Sequence, residues 1–293
     1  MLIYTIIALC YCLCYCWGFN LTQHRSCAQP RMSATKLMQQ ASRSSAASDS
    51  TRRTIRILCL HGKGGNGKTF VSKALAPLRR LLDRRLEHMN MEDEISFQWD
   101  FLTAPFEIPS SKIINEDDKG FSWWSMPPGV RSFNALEYEG FSQSENLVMN
   151  SIYVNDKCKY DIILGHSQGA ILTAALLSLH EKLLNGSTSP SGFIFNGAAW
   201  ANPYNDSMQG LTGLENEKRF KDKSPKMLFI MGKADDINPI DSATRVSNAL
   251  NDAGFDVTIV EHDGGHSVPY KNDEDSVRAL GEVADWIMSI KEN

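Results

Sequence analysis

The sequence predicts an α/β domain built on one mainly parallel, doubly wound sheet. Three observations predict it: short apolar runs recur after position 54, amphipathic helical patterns separate them, and glycine-rich turns close two of them. The chain has 293 residues, 42% of them hydrophobic and 22% charged, which suits one large core. A formal net charge of −4 gives no general attraction to nucleic acid or to anionic membranes. No internal repeat is visible.

The elements follow in order. "IRILCL" (55–60) is a continuous apolar run, the pattern of a strand buried on both faces. Residues 67–88 carry Phe70, Val71, Ala74, Leu75, Leu78, Leu81, Leu82 and Leu86 at helical spacing. Arg79, Arg80, Arg84 and Arg85 fall on what this spacing makes the wet face. "ISFQWDFL" (95–102) reads as a second strand. Residues 103–140 lack periodicity but are rich in proline and aromatics, the composition of an ordered functional loop. A helix over 141–156 leads into the strand "YDIIL" (160–164), and a second helix carries Ala170, Ile171, Ala174, Leu177 and Leu184. Strands at 192–198, 226–232 and 256–262 complete the sheet, with helices over 240–253 and 274–291. The expected unit is a single domain, 55–293, without a large separate cap.

Residues 1–54 are expected to stand outside the fold. Leu2 to Phe19 is apolar and uncharged, and residues 21–54 hold seven Ser, six Arg or Lys and one acid, Asp49. That composition resembles targeting information. A secretory signal, a signal-anchor and a two-part organelle address, such as a plastid one, all remain open. So does an upstream extension of the coding sequence on a cytoplasmic protein. Any membrane association is expected through residues 2–19 alone. Five of the seven cysteines lie in the first 27 residues; Cys59 and Cys158 read as buried free thiols, so no disulfide framework is implied.

Chemistry concentrates at the ends of strands. "YDIILGHSQGA" places a G-x-S-x-G pentapeptide, Gly165 to Gly169, between a strand and a helix. A turn that sharp thrusts the Ser167 hydroxyl above the sheet, and the flanking glycines let helix and strand approach. A serine nucleophile needs a base, and the base needs an orienting acid. Asp235 and Asp236 follow the strand "KMLFIMG", and His266 follows "DVTIVEH". Serine, acid, histidine in that order is the arrangement of an α/β-hydrolase fold. Asp235 is preferred over Asp236 because Gly232-x-x-Asp235 with Pro239 has the usual shape of the acid loop. His262 reads as a hydrogen-bonded neighbour rather than a metal ligand.

"HGKGGNGKTF" (61–70) poses a competing reading. Gly62 to Thr69 matches a phosphate loop, with Lys68 for the phosphates and Thr69 for magnesium. That reading also needs a strand ending in a metal-directed Asp, whereas "YDIIL" ends in Gly-His-Ser. In a hydrolase the same turn supplies a backbone N–H to the oxyanion hole. The N–H groups of Lys63 and Gln168 are the expected donors, and no metal or organic cofactor is needed. ATP binding through Gly62–Thr69 is retained as a remote alternative.

"LHG…NGKTF", "LTAPFEIP", the Trp123-Trp124 pair, "YEGFSQSENLV", "YDIILGHSQGAIL" and "GGHSVP" resemble the FSH family of serine hydrolases over about residues 55–290. The resemblance implies Ser167 as nucleophile, Asp235 as acid and His266 as base, acting on a small-molecule acyl ester. Acyl-thioesterase or lipase-like activity on the same scaffold is the alternative. Two positions depart from that family: His166 stands where Phe is common, and Lys63-Gly64-Gly65 where a bulky apolar residue usually follows His61-Gly62. The expected substrate pocket takes in His61, Gly62, His166, Trp123 and Trp124. Phe121 and Phe133 are further candidates for an apolar wall.

Overall fold

The computed structural model describes residues 52–109, 115, 117, 119–185, 188–211 and 224–290. Six strands form the central sheet: β1 (Arg53–Leu60), β2 (Ile95–Leu102), β7 (Ile162–His166), β8 (Gly192–Asn196), β9 (Lys226–Gly232) and β10 (Val257–His262). Their spatial order is β10-β9-β8-β7-β1-β2, and every neighbouring pair is parallel. The chain therefore starts inside the sheet, winds out to β2, crosses back beside β1 at β7 and proceeds to the far edge. The direction of winding reverses between β1 and β7, and ligands in such sheets bind beyond the carboxyl ends of the strands at that reversal.

Two apolar layers hold the helices. On one face Ile55, Ile57, Cys59, Ile162, Leu164, Ile194 and Leu228 pack under α2 (Ala76–Met89) and α7 (Glu274–Ser289) through Leu78, Leu82, Val283 and Ile287. On the other, Leu58, Leu60, Ile163, Phe193, Phe195 and Phe229 pack under α3 (Phe141–Ile152), α4 (Gln168–Leu179) and α6 (Ile240–Asp252) through Val148, Ile171, Leu172 and Val246. Alternation along each strand assigns successive residues to opposite layers. α4 is buried from Gln168 to Leu177, which fits a sequence apolar all round.

Several boundaries differ from expectation for identifiable reasons. β1 opens at Arg53, two residues early, because the Arg53 N–H donates to the Glu94 carbonyl and extends the ladder with β2. Residues 1–51, expected to be a leader, lie outside the described residues. The helix expected over 67–88 breaks into a short turn α1 (Gly67–Thr69), a wider π turn at Phe70–Ala74, and α2, which starts beside Pro77. The helix expected to reach 156 stops at Ile152, where β5 (Tyr153–Val154) and β6 (Lys157–Cys158) form a hairpin. Asn155 and Asp156, at φ +49° and +61°, supply its two-residue turn. Within 103–140 a second small hairpin pairs β3 (Phe106–Ile108) with β4 (Gly120–Ser122). A short α5 (Asn205–Gly210) also escaped the periodicity.

Of the arginine cluster, Arg80 and Arg84 are exposed as expected. Arg85 instead pairs with Asp285 of α7, and the Arg79 guanidinium lies over the Trp99 ring. Cys59 is a buried free thiol, whereas Cys158 is only partly buried and donates to the Tyr160 carbonyl. Among the described residues no helix is long and apolar enough to cross a membrane.

The junction of β7 and α4 is tightly closed. A Cβ on Gly169 would lie 2.3 Å from the Leu60 carbonyl oxygen, and one on Gly165 2.6 Å from the Gly169 oxygen. Both obstacles are backbone, which cannot swing aside. Gly169→Ala is therefore expected to cost about 2 kcal/mol or more, the scale of an overpacked core, read from urea melts followed by circular dichroism.

Candidate active site

Ser167 sits at the turn between β7 and α4 with φ +52° and ψ −116°, a conformation that non-glycine residues rarely adopt. The Ser167 N–H donates to the Asn196 carbonyl at 2.9 Å, which ties the turn to β8. Its Oγ lies 2.6 Å from His266 Nε2. On the other side of the ring, His266 Nδ1 lies 2.7 Å from Asp235 Oδ2. Three loops, each just past the carboxyl end of a strand, thus bring hydroxyl, imidazole and carboxylate into one hydrogen-bonded chain. Asp236, the other candidate acid, is exposed while Asp235 faces the imidazole.

The Asp235 side chain is almost fully buried. Burial alone would raise its carboxyl, but hydrogen bonds from His266 and from the Asn238 and Ile237 N–H groups outweigh it. Together they hold the carboxyl below the usual carboxylate range. An ionised, immobilised acid of this kind fixes the imidazole with Nδ1–H toward it and leaves Nε2 facing the serine.

The loop after β1 closes the other side. Gly62 to Gly65 form a turn, with the Gly65 N–H on the Gly62 carbonyl at 3.1 Å and Gly64 at φ +82°. The hairpin β3–β4 clamps this turn: the Gly64 N–H donates to the Phe121 carbonyl, and the Phe121 N–H to Gly65. Lys63 occupies the second position of the turn, whose N–H takes no part in turn bonding, and among the described residues no acceptor meets it. Gln168 opens α4, so its N–H has no intrahelical acceptor. Both N–H groups belong to the segments that flank Ser167.

The phosphate-loop reading fails on the same bonds. The N–H groups of Gly64, Gly65, Gly67 and Thr69 are turned to Phe121, Gly62, Thr103 and Asn66, leaving no converging cradle. Lys68 is held by both oxygens of Asp117 at 2.9 Å.

Three of the pocket expectations need correction. Trp123 and Trp124 are wholly buried and cannot wall an open acyl channel. They are framework: Trp123 N–H donates to Gln168 Oε1, Gln168 Nε2 donates to the Trp124 carbonyl, and Trp123 Nε1 donates to the His61 carbonyl. His61 is equally buried, its Nε2 accepting the Ala104 N–H and its Nδ1 donating to the Gly62 carbonyl. These residues lock the Gly62 loop to the residue after the serine. Phe121 and Phe133 are partly buried against the core. Gly62 and His166 do stand beside Ser167: a Cβ on Gly62 would lie 3.0 Å from both Ser167 Cβ and His166 Cδ2.

Asn196, Asn238 and Phe70 were not among the site residues expected from the sequence. Asn196 Nδ2 donates to His166 Nδ1 at 2.6 Å, Asn238 Nδ2 supports the Gly197 carbonyl, and the Phe70 ring stacks on His166. A polar residue ending the apolar run "GFIFN" was the available signal for the first. His262 is buried and accepts the Gly264 N–H, and among the described residues no cluster could hold a metal ion.

The class is an α/β-hydrolase fold. Solved structures agree at the level of fold: esterase PE8 at TM-score 0.53 (18% identity, 83% of this chain and 95% of that one) and a variant of Arabidopsis thaliana SOBER1 at 0.51 (19%, 80% and 98%). The serine hydrolase (FSH1) family profile matches residues 50–277, and the chain belongs to that family. Curated relatives include Esterase OVCA2 of Danio rerio, 27% identical over 73% of this chain and 90% of its own length. Rhodanese-like domain-containing protein 6 of Arabidopsis thaliana is also 27% identical, over 76% of this chain, which spans only 38% of that protein.

Burial disfavours the charged forms of two imidazoles here. It lowers His61 to about 4, opposed by its bond to the Gly62 carbonyl, and lowers His166 to about 3, helped by the neighbouring His266. The unfolded chain takes up both protons near pH 6.5, the folded chain only near those lower values. Stability is therefore expected to be full above about pH 6.5 and to fall as pH drops from there toward about 4. Urea midpoints measured across that window should show the decline, and His166→Phe should reduce the slope by about one proton.

Proposed function

We propose that the protein hydrolyses carboxylic acyl esters through a Ser167–His266–Asp235 triad and a covalent acyl intermediate. The observation that carries this reading is the unbroken hydrogen-bonded chain from Asp235 through His266 to the Ser167 hydroxyl. It stands at the winding reversal of the sheet. His266 Nε2 takes the serine proton as Oγ attacks the ester carbonyl. Asp235 keeps the tautomer fixed and stabilises the imidazolium that forms. The Gln168 and Lys63 N–H groups receive the negative charge on the tetrahedral oxygen, one such donor being worth about 3–4 kcal/mol of barrier. The imidazolium then protonates the leaving alcohol, and the same nitrogen removes a proton from the water that releases the acid.

Membership of the serine hydrolase family and relatives named as esterases support an oxyester as the substrate. The test is steady-state turnover of p-nitrophenyl acyl esters beside acyl-thioesters of matched chain. The oxyester is expected to be the better substrate. Ser167→Ala is expected to lower kcat by at least about a thousandfold, and Asp235→Asn by up to about ten-thousandfold, with folding retained. Asp236→Asn should change kcat by less than about twofold, because that side chain is exposed. A fully active Ser167→Ala protein would remove the reading.

A further inference from the structure

The turn beside the serine carries a cation that the mechanism above does not use. Lys63 lies at the apex of the Gly62–Gly65 turn, its side chain exposed and without an ion-pair partner among the described residues. Two lysines nearby have carboxylates: Lys68 is held by Asp117 at 2.9 Å and Lys119 by Glu107 at 3.6 Å. Asp235 is unavailable to Lys63, since His266 and two backbone N–H groups already occupy its oxygens. The turn itself is not free to carry Lys63 away, because two backbone bonds to Phe121 fix it. Gly62, one residue before, stands so close to Ser167 that a Cβ there would come within 3.0 Å of the serine Cβ. A lysine at the next position has a four-carbon stem long enough to bring its ammonium to the space over the nucleophile.

A second polar group meets the same glycine. His166 Nε2 would lie 3.4 Å from a Cβ on Gly62, and the residue is only partly buried. Its Nδ1 accepts the Asn196 amide at 2.6 Å, so the ring proton resides on Nε2. The reverse amide orientation would turn two N–H groups into the dry space that Asn196 Oδ1 now occupies without a partner, a worse arrangement. The ring is braced between Phe70, at 5.6 Å, and His266, at 5.1 Å, so its N–H has a fixed direction. Among the described residues no acceptor takes that N–H. A neutral donor beside the nucleophile and a full cation within reach of it thus stand on the side of the Gly62 loop, where an apolar acyl chain would gain nothing from either.

We propose that Lys63 and His166 form an anion-binding subsite, and that the substrate is an acyl ester whose acyl chain ends in a carboxylate. The inference rests on the hydrolase reading and narrows its substrate class. Lys63 pairs with the terminal carboxylate while His166 Nε2 donates to one of its oxygens, which sets the ester carbonyl over Ser167.

The experiment compares mono-p-nitrophenyl glutarate and adipate with their methyl-capped diesters, equal in length but uncharged. The readout is the charged-to-neutral ratio of kcat/KM. Wild type is expected to favour the charged ester by about fivefold or more at low ionic strength, the scale of a partly exposed ion pair with a further donor. Raising salt to 0.5 M should shrink the ratio while leaving the neutral ester unaffected. Lys63→Gln is expected to bring the ratio to about one and Lys63→Arg to keep it; His166→Phe should lower it about two- to threefold. A wild-type ratio of one or less, or one unmoved by Lys63→Gln, overturns the subsite while the hydrolase reading stands. Hydrolysis of neither ester removes the hydrolase reading and the subsite with it.

Discussion

The site depends on one strained residue. Ser167 holds a left-handed backbone because strand and helix meet there with only glycine between them: Gly165 lies against Gly169, and Gly169 against the Leu60 carbonyl. That compression is what lifts the hydroxyl out of the sheet. It also presses α4 onto β1, so the turn that follows β1 is delivered to the serine by the same packing. A cost of order 1–3 kcal/mol for such a conformation persists only where the surroundings over-determine it. Here the surroundings are an all-parallel sheet and a helix buried on every side.

Around that point the buried side-chain polar atoms other than Trp124 Nε1 and Asn196 Oδ1 find partners, and the bonds assign each a job. Gln168 bridges Trp123 and Trp124, Trp123 holds the His61 carbonyl, and His61 holds Gly62 and Ala104. Side chains that the sequence assigned to the pocket are thus braces that hold the backbone of the Gly62 loop and of Trp123-Trp124 against Gln168. On the opposite side Asn238 and the Asp235 loop fix the acid, and Asn196 fixes both the Ser167 N–H and the His166 ring. Neutrality of His61 and His166 follows from this burial. A charged His166 would stand beside the His266 ring, 5.1 Å away, and repel any positive charge there.

Much of this was legible in the sequence, for physical reasons that can be named. The six strands were visible because a parallel sheet covered on both faces needs continuous apolar runs, and "IRILCL", "YDIIL" and "KMLFIMG" are such runs. Ser167, Asp235 and His266 could be singled out together because each follows the end of an apolar strand run, and their side chains do meet in one hydrogen-bonded chain. What escaped was local turn chemistry and burial. Asn155-Asp156 ended a helix whose apolar spacing ran on, and Phe106–Ile108 with Gly120–Ser122 made a hairpin too short to alternate visibly. Trp123 and Trp124 were misplaced because composition cannot tell an aromatic facing a channel from one sealed beneath it. The glycine-rich stretch at 61–70 was ambiguous for a similar reason: a phosphate cradle and an oxyanion turn share residue types, and only the direction of each N–H separates them.

The central claim is that the Ser167 hydroxyl is the activated nucleophile, and the most direct measurement is the mass of the folded protein after a stoichiometric fluorophosphonate. One adduct per chain is expected on the peptide containing Ser167, lost when His266 is replaced by Gln. An unmodified protein, or an adduct carried on another residue, would contradict it.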